Sequence, residues 1–184
     1  MTSHSPEPTP RPPHPLALAL IERLRDRPGA RVVEIGAGSG RNTRALQAAG
    51  LHVYTLPPGE PAAAALTTHA LLHGRLAEIR DTLDAIAASL EPGAPLFGTF
   101  GSTSDARFGS GDELEAHVYA ARSGDEAGVA HAYFDEPRLR ALLAARFTIE
   151  SLREVDVDEI AGRWAHPNDP LRGAVHWFAI ARKR

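Results

Sequence analysis

Ten residues, Arg31 to Gly40 (RVVEIGAGSG), constrain the fold more than any other stretch of the chain. Val32, Val33 and Ile35 suit a short buried strand, because β-branched side chains pack well on a pleated surface. Glycines follow at positions 36, 38 and 40, and the polar residues from Arg41 onward open a helix. Glycine allows positive φ and leaves room for close approach by a ligand or by another backbone. The helix start beyond it presents unpaired N–H groups and the positive end of its dipole. A strand, glycine loop and helix at the carboxyl edge of a sheet is where open α/β folds bind nucleotide-like ligands.

The chain has 184 residues, 43% hydrophobic and 23% charged, which fits one soluble globular domain with a substantial core. A formal net charge of −3 gives no reason to expect nucleic acid or an anionic membrane as partner. With no cysteine, disulfides, thiolate metal sites and cysteine nucleophiles are excluded. The apolar run Leu16 to Ile21 is too short for a signal-peptide core or a membrane span, so a cytoplasmic protein is expected.

Residues 1–15 carry six prolines and almost nothing apolar, so they read as a disordered or extended arm before a single domain at 16–184. Helical spacing predicts helices over 16–25, 41–49, 76–90 and 137–145. Strands are expected at 31–35, 51–55, 63–72, 95–100, 147–157 and 174–181, with a long polar loop over 101–111. Alternating strands and helices of this kind make an α/β, doubly wound, mostly parallel sheet.

The glycine spacing departs from the dinucleotide fingerprint, which would require glycine where Arg41 stands. Glu34-x-Gly36-x-Gly38-x-Gly40 instead resembles motif I of class I S-adenosylmethionine-dependent methyltransferases. The run Gly38-Ser39-Gly40-Arg41-Asn42-Thr43 is most similar to tellurite-resistance-type and related small-molecule methyltransferases. Leu71-Leu72-His73, Leu90-x-Pro92-Gly93, His131-Ala132-Tyr133-Phe134 and Ala174 to Lys183 resemble later family segments in matching order. The resemblance implies the Rossmann-like methyltransferase fold, S-adenosyl-L-methionine as cofactor and a small-molecule methyl acceptor. It places Glu34, Gly36, Ala37, Gly38, Gly40, Asn42, Thr55, Thr68 and His69 on the cofactor side.

Two departures from the family pattern stand out. Where the family's second strand ends in an acid that accepts the ribose hydroxyls, this chain has Tyr54-Thr55-Leu56, with Glu60 the nearest acid. Residues 56–66 are also too few for the helix, strand and helix that the family inserts there. The sheet is therefore expected to lack the family's third strand and its flanking helices, with order 2-1-4-5-7-6 in family numbering.

Methyl transfer needs positioning, exclusion of water and sometimes proton removal, so no obligatory triad is sought. Polar groups on strand-end loops are the candidates, among them Thr67, Arg107, Tyr133 and His166. His73, His131 and Asp105 are expected to carry the catalysis, with histidine the natural base near neutral pH. The four-residue spacing of His69 and His73 is not taken as a metal pair, and no metal is assigned. Residues 102–111 read as a lid or substrate loop, with Gly124 to Gly128 ahead of His131 as the opposite wall. His176 and Trp177 read as core packing. A homodimer is left open. The competing reading is a catalytically silent protein of the same fold that binds a ligand or a protein partner through the same crevice.

Overall fold

The computed structural model describes residues 12–56, 59–157 and 173–184. The elements in chain order are α1 (Pro15–Arg23), β1 (Arg31–Ile35), α2 (Arg41–Ala48), β2 (His52–Tyr54), β3 (Ala64–Thr67), α3 (Leu76–Ser89) and β4 (Pro95–Ser102). They are followed by β5 (Asp112–Glu115), β6 (Val118–Ala120), β7 (Ala130–Phe134), α4 (Glu136–Ala144), β8 (Phe147–Asp156) and β9 (Val175–Lys183).

The main sheet runs β2-β1-β3-β4-β9-β8, parallel from β2 to β4, with β9 antiparallel to both of its neighbours. This is the shortened order expected from the sequence. Ala62 and Ala63 tie the short link between β2 and β3 into place, donating to the carbonyls of Ser89 and Arg31 at 2.8 Å each.

Successive strand residues point to opposite faces, and the two faces bury different helices. Val32, Leu66, Phe97 and Phe178 pack with Leu16 and Leu20 of α1 and Leu46 of α2. Their neighbours Val33, Ala65, Leu96 and Ala179 pack with Ile79, Leu83 and Ile86 of α3 and Leu139 of α4. Helices on both faces make the sheet doubly wound.

Several local expectations need correction. The expected arm does not extend through Pro15: His14 is fully buried as the N-cap of α1 and Pro15 opens that helix. Proline is favoured there because its missing N–H has no partner to lose. The strand expected over 63–72 ends at Thr67, and the chain turns through His69, whose φ is +62°. The region after β4 holds an unanticipated antiparallel hairpin, β5 and β6, attached to β7. Three acids in four residues hide β5 from a hydrophobicity reading, as suits a solvent-facing edge strand.

β3 pairs with residues 96–98 of β4, whereas β7 pairs with Gly101 and Ser102. β9 pairs with β4 from Pro95 to Gly101, so β7 must lie on the β3 edge, beyond the point where β3 ends. The indole of Trp177 on β9 secures this wedge by donating to the Phe134 carbonyl at 2.8 Å. The carboxyl ends of β1 and β3 therefore face β7 across an opening.

Candidate functional site

That opening is a cavity of about 360 Å³. Gly36, Ala37 and Gly38 form its exposed floor, with Arg41 and Asn42 from the start of α2 beside them. Gly36 (φ +74°) cannot carry a side chain, because a Cβ there would lie 2.7 Å from the Ala70 Cβ. A Cβ on Gly38 would meet only the Gly36 carbonyl oxygen, at 3.9 Å, so its open side is unfilled.

Asn42 locks this floor to the rest of the fold. Its side-chain amide donates to Thr68 Oγ1 at 3.0 Å, and its Oδ1 accepts from the His14 backbone N–H at 2.8 Å. Thr68 and His69 follow β3 and line the same wall, and the His69 N–H donates to Thr99 Oγ1 at 2.7 Å. A non-glycine residue at positive φ costs of order 1–3 kcal/mol and persists where its surroundings hold it.

Opposite the glycines stand His73, Glu126 and His131. His73 and His131 are brought together by an antiparallel bridge between the chain after β3 and β7, with ring centroids 4.7 Å apart. Glu126 reaches both rings, its oxygens 3.4 Å from His73 Nε2 and 3.1 Å from His131 Nε2. Arg107 and His176 complete this side.

Glu34, Gly40, Thr55 and Asp105, four of the expected site residues, do not line the cavity. Glu34 is almost wholly buried; it accepts from the Thr43 hydroxyl at 2.6 Å and so ties β1 to α2. Burial pushes its carboxyl above the ordinary range, and hydrogen bonds from Thr43 and Asn42 oppose that shift. Gly40 is the N-cap of α2, in the left-handed conformation. Asp105 spends its carboxylate on the backbone N–H groups of Arg107 and Val175, at 2.9 Å each, which makes it an anchor for its loop. Thr55 is exposed just past β2, and Glu60 is paired with Arg31 at 3.2 Å. Thr67 and Tyr133 are buried in the sheet, and His166 lies outside the described residues.

A chain of imidazoles runs from the cavity wall into the core, and sequence reasoning missed its inner end, His14. His14, His69 and His176 follow one another with ring centroids 5.7 and 5.1 Å apart. Burial lowers their pKa values to about 2, 3 and 4 respectively, helped by repulsion from neighbouring imidazoles and from Arg41 or Arg107. His69 keeps some exposure into the cavity, but the protein packed around its remaining sides governs its charge. All three rings are neutral at pH 7. His14 carried one available signal, a polar residue directly before Pro15 and an apolar helical run, which is an N-cap position. Glu126 carried none beyond membership of a glycine-flanked segment.

No family model and no curated protein matches the chain. Solved structures do. A 1,6-didemethyltoxoflavin-N1-methyltransferase from Burkholderia thailandensis, with bound 1,6-didemethyltoxoflavin and S-adenosylhomocysteine, superposes with TM-score 0.65 at 22% identity. The match covers 92% of this chain and 77% of that one. A SAM-dependent methyltransferase from Methanosarcina mazei gives TM-score 0.66 at 15% identity, over 94% of this chain and 98% of that one. The N-methyltransferase NodS from Bradyrhizobium japonicum, in complex with S-adenosylhomocysteine, gives 0.52 at 14% identity, over 92% and 88%. At such identities the likeness is one of architecture, and this chain has the Rossmann-like fold of class I methyltransferases.

Proposed function

We propose that this protein is an S-adenosylmethionine-dependent methyltransferase acting on a small molecule. The observation that carries the reading is the unfilled glycine floor at the carboxyl ends of β1 and β3, beside the first turn of α2. Fold neighbours crystallised with S-adenosylmethionine or S-adenosylhomocysteine support it, as does the likeness of residues 38–43 to tellurite-resistance-type enzymes.

When bound, the cofactor supplies an electrophilic methyl on a sulfonium. Gly36, Ala37 and Gly38 would hold its amino-acid portion, and Asn42 and Thr68 would fix the adjoining wall. The neutral rings of His69 and His176 suit a cationic ligand, because no buried imidazolium repels it. Across the cavity, His73 and His131 would orient the acceptor and take up its proton. A cavity of about 360 Å³ is of small-ligand size.

One observation favours a second reading, a silent protein of this fold. No acid follows β2, Thr55 is exposed, and Glu60 is engaged by Arg31. Calorimetric titration with S-adenosylhomocysteine separates the two: micromolar binding is expected, and none at millimolar ligand would select the silent reading.

A further inference from the structure

We propose that His73, His131 and Glu126 bind a divalent first-row transition-metal ion, with the ion's open position facing the acceptor side of the cavity. Nothing in the sequence spacing suggests it. Glu126 is remote from His73 along the chain, and the fold alone brings the three together. The loop before β7 curls back on itself: Ala127 N–H donates to the Gly124 carbonyl, Gly128 N–H to that of Ala121, and Val129 N–H to that of Glu126. These turns present the carboxylate to both rings.

The donor atoms of the three side chains all lie within 4.8 Å of one another. Glu126 stands 3.1 Å from His131 Nε2 and 3.4 Å from His73 Nε2. Tetrahedral ligands at about 2.0–2.1 Å from a shared ion lie about 3.3 Å apart, so little movement is needed to enclose one.

The tautomer of His131 supplies an independent argument. Its Nδ1 lies 3.0 Å from the Val129 carbonyl oxygen, which can only accept, so Nδ1 carries the hydrogen. In the neutral ring Nε2 then presents a lone pair toward a carboxylate oxygen. A cation, whether a proton or a metal ion, fits between that nitrogen and the carboxylate. A backbone carbonyl that orients a ligating imidazole is also the usual outer support of a metal site. Two imidazoles and one carboxylate suit zinc, cobalt, iron or manganese better than magnesium or calcium.

Three protein ligands leave a coordination position open to the cavity that all three side chains line. An acceptor with an oxygen, nitrogen or sulfur donor could occupy it and lose its proton more readily there, to solvent, since ligated His73 and His131 no longer take it up. That consequence rests on the methyltransferase reading; the ion site does not.

The test titrates Co²⁺ into chelator-treated protein, followed by visible absorption and calorimetry, with an S-adenosylhomocysteine titration run in parallel. One ion per chain is expected. Glu126→Gln and His131→Asn should each weaken binding by about tenfold or more. His52→Ala, at an exposed position on β2, should leave it unchanged. In the parent protein, Zn²⁺ should shift the imidazole resonances of His73 and His131 and spare those of His52, a readout that requires no variant. Absence of saturable one-to-one binding, or equal binding by Glu126→Gln, would overturn the site. S-adenosylhomocysteine binding without Co²⁺ binding sinks only the metal site, and the reverse result sinks only the methyltransferase reading.

Discussion

Gly36 and Gly38 both take positive φ, yet the structure uses them differently. At Gly36 the missing Cβ lets the loop after β1 press against Ala70, so a side chain there must move backbone. At Gly38 it leaves space that only a ligand would fill. Gly38→Val should therefore abolish S-adenosylhomocysteine binding while the melting temperature falls by only a few degrees, the cost of a side chain at φ +50°. Parental affinity in that variant would show that the floor holds no ligand. At the end of β2, Thr55 stands where a ribose-binding acid is absent. A hydrogen bond to a charged group contributes roughly 1.5–3 kcal/mol against about 1 for a neutral one, so Thr55→Asp should tighten binding by about tenfold. If affinity instead falls, or Glu60→Ala removes binding altogether, the ribose is held elsewhere.

At the scale of elements, α1 governs the site from a distance. His14 caps the helix, its ring accepting from the Leu16 N–H at 3.0 Å, and its own N–H holds Asn42 Oδ1. His14→Ala removes a cap and leaves a void, a loss on the order of 2–4 kcal/mol. A fall in melting temperature of roughly 5–10 °C is expected. Cofactor affinity should drop with it through Asn42 and Thr68; a stable variant with unchanged affinity would refute the coupling. Elements with strong apolar patterning were legible in the sequence: β1, β4, β9 and α3 fall close to their expected places. The shortened strand order was legible too, because residues 56–66 cannot hold a helix, a strand and a helix. The β5–β6 hairpin was not, since Asp112-Glu113-Leu114-Glu115 owes its strand to backbone pairing with β6 rather than to burial. Asp105 and Glu34 carried chemistry-bearing side chains that the fold spends on backbone and hydroxyl partners. His176 and Trp177 are buried as expected, whereas His14 was hidden because neighbours from distant segments, not local pattern, set its role.

Across the whole molecule, three buried neutral histidines make stability depend on pH in a definite direction. In the unfolded chain each binds a proton near pH 6.5, whereas in the fold His14, His69 and His176 resist it down to about 2, 3 and 4. Between those limits the unfolded state holds more protons, so stability is present above pH 6.5 and is lost as pH falls. Each group contributes about 1.4 kcal/mol per pH unit, and the three together roughly 4. Glu34 works the other way: its raised pKa favours the fold below its unfolded value and loses that advantage as pH rises, but it is one group against three. A domain holds about 5–15 kcal/mol in total, so the chain should unfold between about pH 5 and pH 3. Denaturant titrations at pH 7, 6 and 5 check this, and His176→Gln should flatten the slope by about a third. Stability that stays level from pH 7 to pH 5 would mean that the three rings are charged or exposed in solution, and the neutral lining proposed for the cavity would fall with it.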